Sequence, residues 1–317
     1  MEAQATQGLL RFFRTIPDSR AANARHLMSD ILSIAILAVD GKTLRRSWKH
    51  AWSKTPVHLV SAFASKNNLV LGQIATDSKS NEITAIPKLL AMLDLAGMTV
   101  TIDAMGCQRE IASQIVGQKG HYILAVKDNQ PTLHEKVKSL LDEAILEGFK
   151  GIEHGYHEET NDGHGRIETR RVWVTNQVHW LGKDLLEQWP GLASVIVVQS
   201  TRQDLGDLSG KVSTERRYYI SSHTGIDAKH MAEGIRQHWG IENGLHWCLD
   251  MAMREDESRL RVKNGAENFS RLRRIALNKL KRWEPQKENG KPLKIGIRIK
   301  QQACGWSHKF LLEALLA

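Results

Sequence analysis

The sequence predicts an α/β fold, with a mixed sheet flanked by helices and a β-rich insertion before the last helix of the core. Three observations lead to this prediction. Three strand-like runs follow one another between residues 34 and 76, strands then alternate with helical segments up to residue 147, and further strand-like segments fill residues 150–225. The 317 residues suffice for one large domain or two modest ones.

The composition is that of an ordinary globular protein, with 41% hydrophobic residues. The longest apolar run, residues 31–39, is about half the roughly 18–20 residues that a membrane span needs, so we expect no membrane partner. The first thirty residues lack the pattern of a secretory signal. Three widely spaced cysteines suggest reduced thiols, and we therefore expect a cytoplasmic protein.

The amino-terminal part, residues 1–30, is predicted to be a helical segment broken at Ile16-Pro17-Asp18. The apolar run that follows ends abruptly in a carboxylate, Asp40. Ile34–Val39 is rich in Ile and Val and is closed by Gly41, which is typical of a buried strand with Asp40 at its carboxyl end. The first half of that run could equally continue the preceding helix.

Two strands joined by a hairpin are predicted next, at Val57–Ala64 and Leu69–Thr76. A helix then runs from an Asn81 cap to about Leu95, with Pro87 producing a kink or a late start. The first part of the core, residues 31–149, is completed by four further elements. These are a strand Met98–Ile102 that ends at Asp103, a helix Arg109–Gly117, a strand His121–Lys127 and a helix Pro131–Glu147.

The second half of the chain divides into three predicted parts. Residues 150–225 form the β-rich insertion, with strand-like segments RIETRRVWV, SVIVVQS and ERRYYIS. Residues 226–264 hold the last helix of the core, for which we expect one continuous helix over Arg236–Arg261. Residues 265–317 form a basic tail, with a helix around Ala266–Trp283, a loop at 284–298 and a short terminal helix.

Helical spacing places His238, Glu242 and His246 on one face of this last helix, together with apolar residues that suggest burial. A buried carboxylate needs a positive partner, either a nearby arginine or a metal ion shared with other carboxylates. The two histidines and Glu242 could also bind zinc, although no His-Glu-x-x-His pattern is present. We favour structural histidines, and core packing for Trp239 and Trp247.

Three carboxylates stand out as candidates for catalysis: Asp40, Asp103 and Glu242. If the first and fourth strands are neighbours, both aspartates emerge at the same edge of the sheet. Two carboxylates about 4 Å apart repel by roughly 4 kcal/mol at an effective dielectric constant of 20, so one is protonated or a divalent cation holds them. Oxygen ligands favour Mg²⁺ or Mn²⁺, and a pair of such ions catalyses phosphoryl transfer on nucleic acid. Turn or capping roles are the alternative.

The net charge of +9 is concentrated near the carboxyl terminus, where residues 254–309 hold sixteen Lys and Arg against six Asp and Glu. A basic tail on a nearly neutral body suggests a polyanion such as DNA, with a solvated surface as the alternative. Lys42, Arg45 and Lys127 are candidate phosphate contacts because they lie close to the two aspartates. Asp250, Glu255 and Asp256 are interpreted as surface or capping acids.

Several long motifs resemble one family of proteins. VDGKTLRRS, TDSKSNEITAIPKLL, TIDAMGCQ, DGHGRIETR, RQHWGIENGLHWCLDMAMREDESRLR and RRIALNKLK are similar to segments of the H-repeat-associated group of bacterial insertion-sequence transposases. The resemblance runs from about Asp40 to Lys281 in order. It departs from the family in two places. ILSIAILAV runs directly into DGKTLR, which indicates an internal deletion in the amino-terminal region, and of the Tyr-Arg-Glu-Lys signature of the wider superfamily only Glu242 is present.

The resemblance implies an RNase H-like catalytic domain, with Asp40, Asp103 and Glu242 as the DDE triad and as ligands of Mg²⁺, or of Mn²⁺. It implies cleavage of the element's ends and joining of the 3′-hydroxyl to target DNA. The expected partner is double-stranded DNA, both terminal inverted repeats and target, bound by a homodimer at the nucleoid. The resemblance also implies a role for Arg166, and Arg259 or Arg261 would replace basic residues missing around Glu242.

Two other functions stay open at this point. The deletion favours a DNA-binding transposase remnant that keeps the fold without the chemistry. A nuclease of the same fold would cleave DNA without strand transfer. Binding alone predicts an affinity that falls steeply with salt, whereas catalysis also requires divalent metal and the three carboxylates.

Overall fold

Nine strands form one mixed sheet at the centre of the molecule. The computed structural model describes residues 36–47, 56–76, 82–163, 165–206, 212–287 and 289–317, so the predicted helical segment at residues 1–30 lies outside the described part. The strands are β1 (Ile36–Thr43), β2 (His58–Ala64), β3 (Leu69–Ala75), β4 (Thr99–Ile102), β5 (His121–Val126), β6 (Gly155–Gly163), β7 (Arg166–Thr175), β8 (Ser194–Asp204) and β9 (Val212–Ser221).

The first five strands have the arrangement of an RNase H-like sheet, as predicted. Their order across the sheet is β3-β2-β1-β4-β5. The pairs β1–β2 and β2–β3 are antiparallel, whereas β4 and β5 run parallel to β1. Because β4 and β5 run in the same direction as β1, their carboxyl ends lie at the same side of the sheet as the second half of β1.

The last four strands extend this same sheet in the order β9-β8-β7-β6, because β9 pairs with β5 in antiparallel register. The three predicted segments correspond to β7, β8 and β9. The strand β6 was missed, since GYHEETNDG has no apolar alternation and forms a strand through nine registered pairs with β7. The strand order does not test the predicted limits of the insertion, residues 150–225, which remain a prediction.

Helices cover both faces of the sheet. They are α1 (Glu82–Leu90), α2 (Arg109–Gly117), α3 (Pro131–Leu146), α4 (Lys183–Gln188), α5 (Ala228–His238), α6 (Trp247–Met251), α7 (Gly265–Arg282), α8 (Ile297–Trp306) and α9 (His308–Leu316). One face is buried under α1, α2, α3 and α4, with Leu37, Ile86 and Trp189 among the fully buried side chains. The opposite face is covered by α5, α6 and α7.

The prediction of one helix over Arg236–Arg261 is wrong at both ends. The helix α5 starts earlier, at Ala228, where Asp227 caps it by accepting a hydrogen bond from the His230 N–H. A π turn over Glu242–His246 separates α5 from α6, and α6 ends at Met251. Arg254 then adopts a left-handed conformation with φ of 51°, which ends the helical path.

The basic helix α7 lies across β1, β2 and β3, within one residue of its predicted limits. Its Leu277 packs against Ala38 and Phe63 on the sheet. The Asn278 side chain accepts a hydrogen bond from the Val70 N–H and donates one to the Val70 carbonyl, so it mimics a neighbouring strand. Two helices, α8 and α9, pack on α7 where one terminal helix was predicted. Among the described residues, no helix is long and apolar enough to cross a bilayer.

Candidate active site

The two candidate aspartates lie side by side on adjacent parallel strands. Val39 pairs with Ile102, so Asp40 and Asp103 are the next residues on strands that run ~4.8 Å apart. The predicted adjacency of the first and fourth strands is thus confirmed. Asp40 does not end its strand, however, because Gly41 and the next two residues continue to pair with β2.

The Asp40 carboxyl group is partly buried among other acids. Its Oδ1 accepts a hydrogen bond from the Gly41 N–H at 2.8 Å. Burial raises the pKa of Asp40 to about 7, and the nearby Glu82, Asp103 and Glu242 charges add to the rise, against the lowering effect of the Gly41 hydrogen bond. Asp40 is therefore in an acidic environment, in which Glu82 has the His58 ring as a partner at 2.7 Å. Glu82 was missed as a neighbour, since only the packing of α1 brings it there.

Asp103 and Glu242 both line one pocket. Asp103 follows β4 directly, and its Oδ1 accepts a hydrogen bond from the Gly106 N–H at 3.2 Å. Glu242 is the first residue of the π turn and is exposed, which corrects the expectation of a buried carboxylate on the apolar face. The π turn widens the helix by an extra residue and so turns Glu242 away from Leu245, which is fully buried.

The two histidines of the late helix pack around the acidic site and leave it without a positive charge. His246 Nδ1 lies 3.7 Å from Asp40 Oδ2. Burial lowers the pKa of His246 to about 3, helped by the Arg274 and Lys42 charges, so the ring is neutral. His238 Nδ1 lies 3.2 Å from the Thr101 hydroxyl, and burial lowers its pKa as well.

Neither zinc nor a closed cage of protein ligands fits this arrangement. Across the described ranges, no three or more His, Cys, Asp or Glu side chains are placed to hold a metal ion. This applies to the His238–Glu242–His246 set of the zinc alternative and equally to Asp40, Asp103 and Glu242 taken together. The donor set fits Mg²⁺ or Mn²⁺ better, because Mg²⁺ is usually bound by one or two carboxylates, with waters and substrate phosphates completing its shell. Asp40 and Asp103 supply two adjacent, uncompensated carboxylates.

A pocket of about 390 Å³ opens beside Asp103 and Glu242, and its wall is basic and aromatic. Arg216, Arg217 and Tyr218 come from β9, and Lys127 follows β5. The Arg217 guanidinium lies 5.2 Å from the centre of the Trp239 ring. Sequence reasoning missed both arginines, although the Arg-Arg pair in ERRYYIS was visible, because the pairing of β9 with β5 brings them there.

The two tryptophans of the late helix are exposed, by 43% for Trp239 and 60% for Trp247. The expectation of core packing is therefore wrong for both. The π turn changes the helix phase between them, and only Ile241, Leu245 and Leu249 remain on the buried side. Trp239 is instead part of the pocket wall.

The residues that we predicted to contact DNA lie in three places. Lys127 is exposed at the pocket. Arg166 is exposed at the far end of β7, away from the pocket. It lies six residues, or ~20 Å, along the strand from Val172, which is level with the pocket residue Arg217 across β8. Arg45 and Arg259 are exposed, and Arg261 donates a hydrogen bond to the Arg46 carbonyl.

Lys42, which we predicted to be a phosphate contact, is largely buried and already has carboxylate partners. It belongs to β1, is only 8% exposed, and its ammonium lies 2.8 Å from Asp250 and 3.3 Å from Asp256. Glu255 is also not a surface acid, because it is 2% exposed and forms an ion pair with the buried Arg274. These acids face inward because the chain folds back after α6 to meet α7.

The family model and the relatives that match this chain agree with one another. The family model for the transposase DDE domain matches residues 32–279. Two relatives carry transposase names that are given as provisional: YncI of Escherichia coli O157:H7 and the H repeat-associated YhhI of E. coli K12. YncI is 42% identical over 88% of this chain and 68% of its own length, and YhhI is 40% identical over 88% and 71%. A cryo-EM structure of a piggyBac transposase synaptic complex with hairpin DNA aligns with 89% of this chain and 54% of its own, at 10% identity and a TM-score of 0.44.

Proposed function

The chain belongs to the transposase DDE domain family, and from this premise we propose that it cuts the ends of an insertion sequence and joins the freed 3′-hydroxyl to target DNA. Asp40, Asp103 and Glu242 are the proposed catalytic residues. The observation that carries the proposal is the register of β1 and β4, in which Val39 pairs with Ile102 and two carboxylates follow side by side.

Asp40 and Asp103 would hold Mg²⁺ or Mn²⁺ together with DNA phosphate oxygens, and Glu242 would complete the set from the π turn. When bound, such ions activate the attacking oxygen and stabilise the leaving oxygen of phosphoryl transfer. The Gly41 and Gly106 amides orient the two aspartates by donating one hydrogen bond to each. His246 packs against Asp40 as a neutral ring and leaves the negative charge of the site for the cation.

Double-stranded DNA is the proposed partner, as terminal repeats and as target. The pocket beside Asp103 supports this, since Lys127 is exposed there and would hold a phosphate within reach of the acids. Arg216 and Arg217 line the same pocket and would exchange their present partners, Asp142 and Glu215, for phosphates. Arg45, Arg166, Arg259 and Arg261 are further proposed contacts along a longer DNA path. We propose that a homodimer brings two DNA ends together at the nucleoid.

The test is a cleavage assay on a supercoiled plasmid that carries the DNA flanking the coding sequence. The protein is incubated with Mg²⁺ or Mn²⁺, and the Asp103→Asn variant is the control. We expect breaks at the element's ends that require both metal and Asp103. Joined products in a second plasmid distinguish a transposase from a nuclease of the same fold.

One contrary outcome would identify a remnant. A folded protein that binds the DNA with a steep salt dependence, yet never cleaves it with either metal, would overturn the proposed activity. Cleavage that persists in Asp103→Asn would overturn the assignment of the site. Breaks without joined products would leave a metal-dependent nuclease.

A further inference from the structure

The motif RRIALNKLK places a stripe of polar side chains on the inner face of α7. Arg274, Asn278 and Lys281 are four and seven residues apart, which is the spacing of one helix face. Arg274 Nε lies 3.3 Å from the hydroxyl of Ser61, the residue that pairs with Asp40 across β1 and β2. Asn278 pairs with the backbone of Val70. This face of the basic helix is thus turned toward the sheet.

Lys281 reaches the backbone of the π turn that starts at Glu242. Its Nζ donates a hydrogen bond to the Gly244 carbonyl at 2.6 Å. The same ammonium lies 4.9 Å from the centre of the Phe63 ring, a cation–π contact. Burial lowers the pKa of Lys281, which agrees with an ammonium partly withdrawn from water.

The π turn is also held from the other side by the β2–β3 hairpin. A Cβ atom at Gly244 would lie 3.1 Å from Asn68 Oδ1 and 3.2 Å from Phe63 Cζ, so only glycine fits this approach without displacing a neighbour. Gly244 is therefore fixed between the hairpin and Lys281. Glu242 is two residues away on the same turn and, being exposed, has few contacts of its own to fix it.

We propose that Lys281 is a positioning residue that holds the π turn through the Gly244 carbonyl and so fixes where the Glu242 carboxylate stands relative to Asp40 and Asp103. The inference rests on the proposed function for its catalytic consequence, and it assigns a non-DNA role to a lysine of the basic helix. The π turn is an unusual local geometry, and such turns recur at functional sites. A charged donor from another helix is a direct way to hold one.

The competing role for Lys281 is a DNA phosphate contact, as for any lysine in a basic tail. The two roles differ in measurable ways. A phosphate contact contributes to DNA affinity and adds about 0.9 to the slope of log affinity against log salt. A positioning residue leaves both unchanged and lowers the rate of the chemical step at saturating protein.

The experiment compares four full-length variants with the wild-type chain. Lys281→Met removes the ammonium and keeps most of the stem, Lys281→Arg keeps a charged donor, and Lys281→Gln keeps a neutral donor if the Met variant does not fold. Lys279→Met is the matched control, because Lys279 lies on the same helix and donates to the Ala317 carbonyl, away from the π turn. Each is measured by hydrogen exchange of peptides covering residues 242–248, by single-turnover plasmid cleavage with Mg²⁺, and by DNA affinity in EDTA at several salt concentrations.

We expect Lys281→Met to speed exchange in the π turn about 10-fold, as a locally opened segment would, and to slow single-turnover cleavage about 100-fold, the effect of a small misplacement. DNA affinity and its salt slope should equal those of the wild type. Lys281→Arg should recover most of the rate, and Lys279→Met should match the wild type in every measurement.

Unchanged exchange in Lys281→Met would overturn the inference, and so would an unchanged rate with weakened, less salt-dependent DNA binding. Exchange requires neither metal nor DNA, so it decides the role of Lys281 independently of catalysis. Faster exchange in Lys281→Met, combined with a wild-type chain that never cleaves, would refute the proposed function and leave the structural role of Lys281 standing.

Discussion

The β6–β9 half of the sheet and the acidic edge at β1 and β4 differ in what surrounds their buried carboxylates. Arginines pair with the acid in the first region, and no arginine pairs with Asp40 in the described part of the second. Glu168 on β7 is 6% exposed and has three arginine partners within 4.0 Å, which are Arg166, Arg170 and Arg202, the last at 2.9 Å. Asp40 is also largely withdrawn from solvent, at 20% exposure of its side chain. Within the described ranges, the ring of His246 is its only basic neighbour inside 4.0 Å, and that ring is neutral.

The role of an acidic residue in either region therefore depends on the positive charges beside it. A buried carboxylate with arginine partners fixes one arrangement of the strands, and breaking such a set leaves a charge unpaired. A group of carboxylates without such partners destabilises the fold and persists where it has a use, such as binding a cation or a reacting group. The acidic edge is therefore expected to respond to metal and substrate, and the arginine-rich half to respond to neither.

Metal binding should produce the largest difference between the two regions. At a Mn²⁺ concentration 100 times the dissociation constant, the free energy of unfolding should rise by about 2.7 kcal/mol, because only the folded chain brings the carboxylates together. Calorimetry with and without Mn²⁺ measures this rise. Asp103→Asn should abolish most of it and Glu168→Gln should leave it intact. An equal loss in both variants would contradict the distinction.

Neutralising the matched acid should destabilise the protein. Glu168→Gln leaves Arg170 and Arg202 without their shared charge, and we expect the free energy of unfolding to fall by about 2 kcal/mol. Urea denaturation measures the change. Glu187→Gln is the control, because its ion pair with Lys183 is exposed and should contribute below about 1 kcal/mol. An effect of Glu187→Gln as large as that of Glu168→Gln would mean that burial does not set the strength of these pairs.

Neutralising the unmatched acid should have the opposite sign and a smaller size. At pH 8 in EDTA, Asp40→Asn should raise the free energy of unfolding by about 1 kcal/mol, since a neutral amide is spared part of the burial penalty and the repulsion from Glu82, Asp103 and Glu242. The same urea denaturation measures it, and the variant should lose DNA cleavage. A destabilised Asp40→Asn would show that a compensating charge lies close to the carboxylate after all.

Much of the core fold follows from local sequence signals. Helix α2 lies where it was predicted, and α3 begins at Pro131 as expected, since proline is favoured in the first helical turn. The strands β2 and β3 were predicted within one residue. The polar strand β6 was not, because it owes its conformation to β7, and the junction of β5 with β9 joins residues about ninety positions apart.

The same contrast between local signals and long-range contacts applies to the candidate active site. The adjacency of Asp40 and Asp103 was expected because each follows an apolar run that suits a buried strand. The exposure of Glu242 depends on a π turn that the residue spacing does not reveal. The burial of Lys42 depends on Asp250 and Asp256, more than two hundred residues later in the chain. Long-range contacts of this kind have no local signal.

The hydrogen bonds between Asn278 and Val70 also bear on how the molecule meets copies of itself. Every open sheet has two outer strands whose free amides can recruit a foreign strand and start aggregation. At Val70 on β3 the donor and the acceptor are both taken by the Asn278 amide. At the other end, β6 is a polar strand whose Glu158 and Glu159 form ion pairs with Arg171, Arg170 and Arg236. A side chain thus covers one border of the sheet at Val70, and polar, ion-paired residues line the other, so loss of Asn278 would uncover a backbone donor and acceptor at which a second copy could pair.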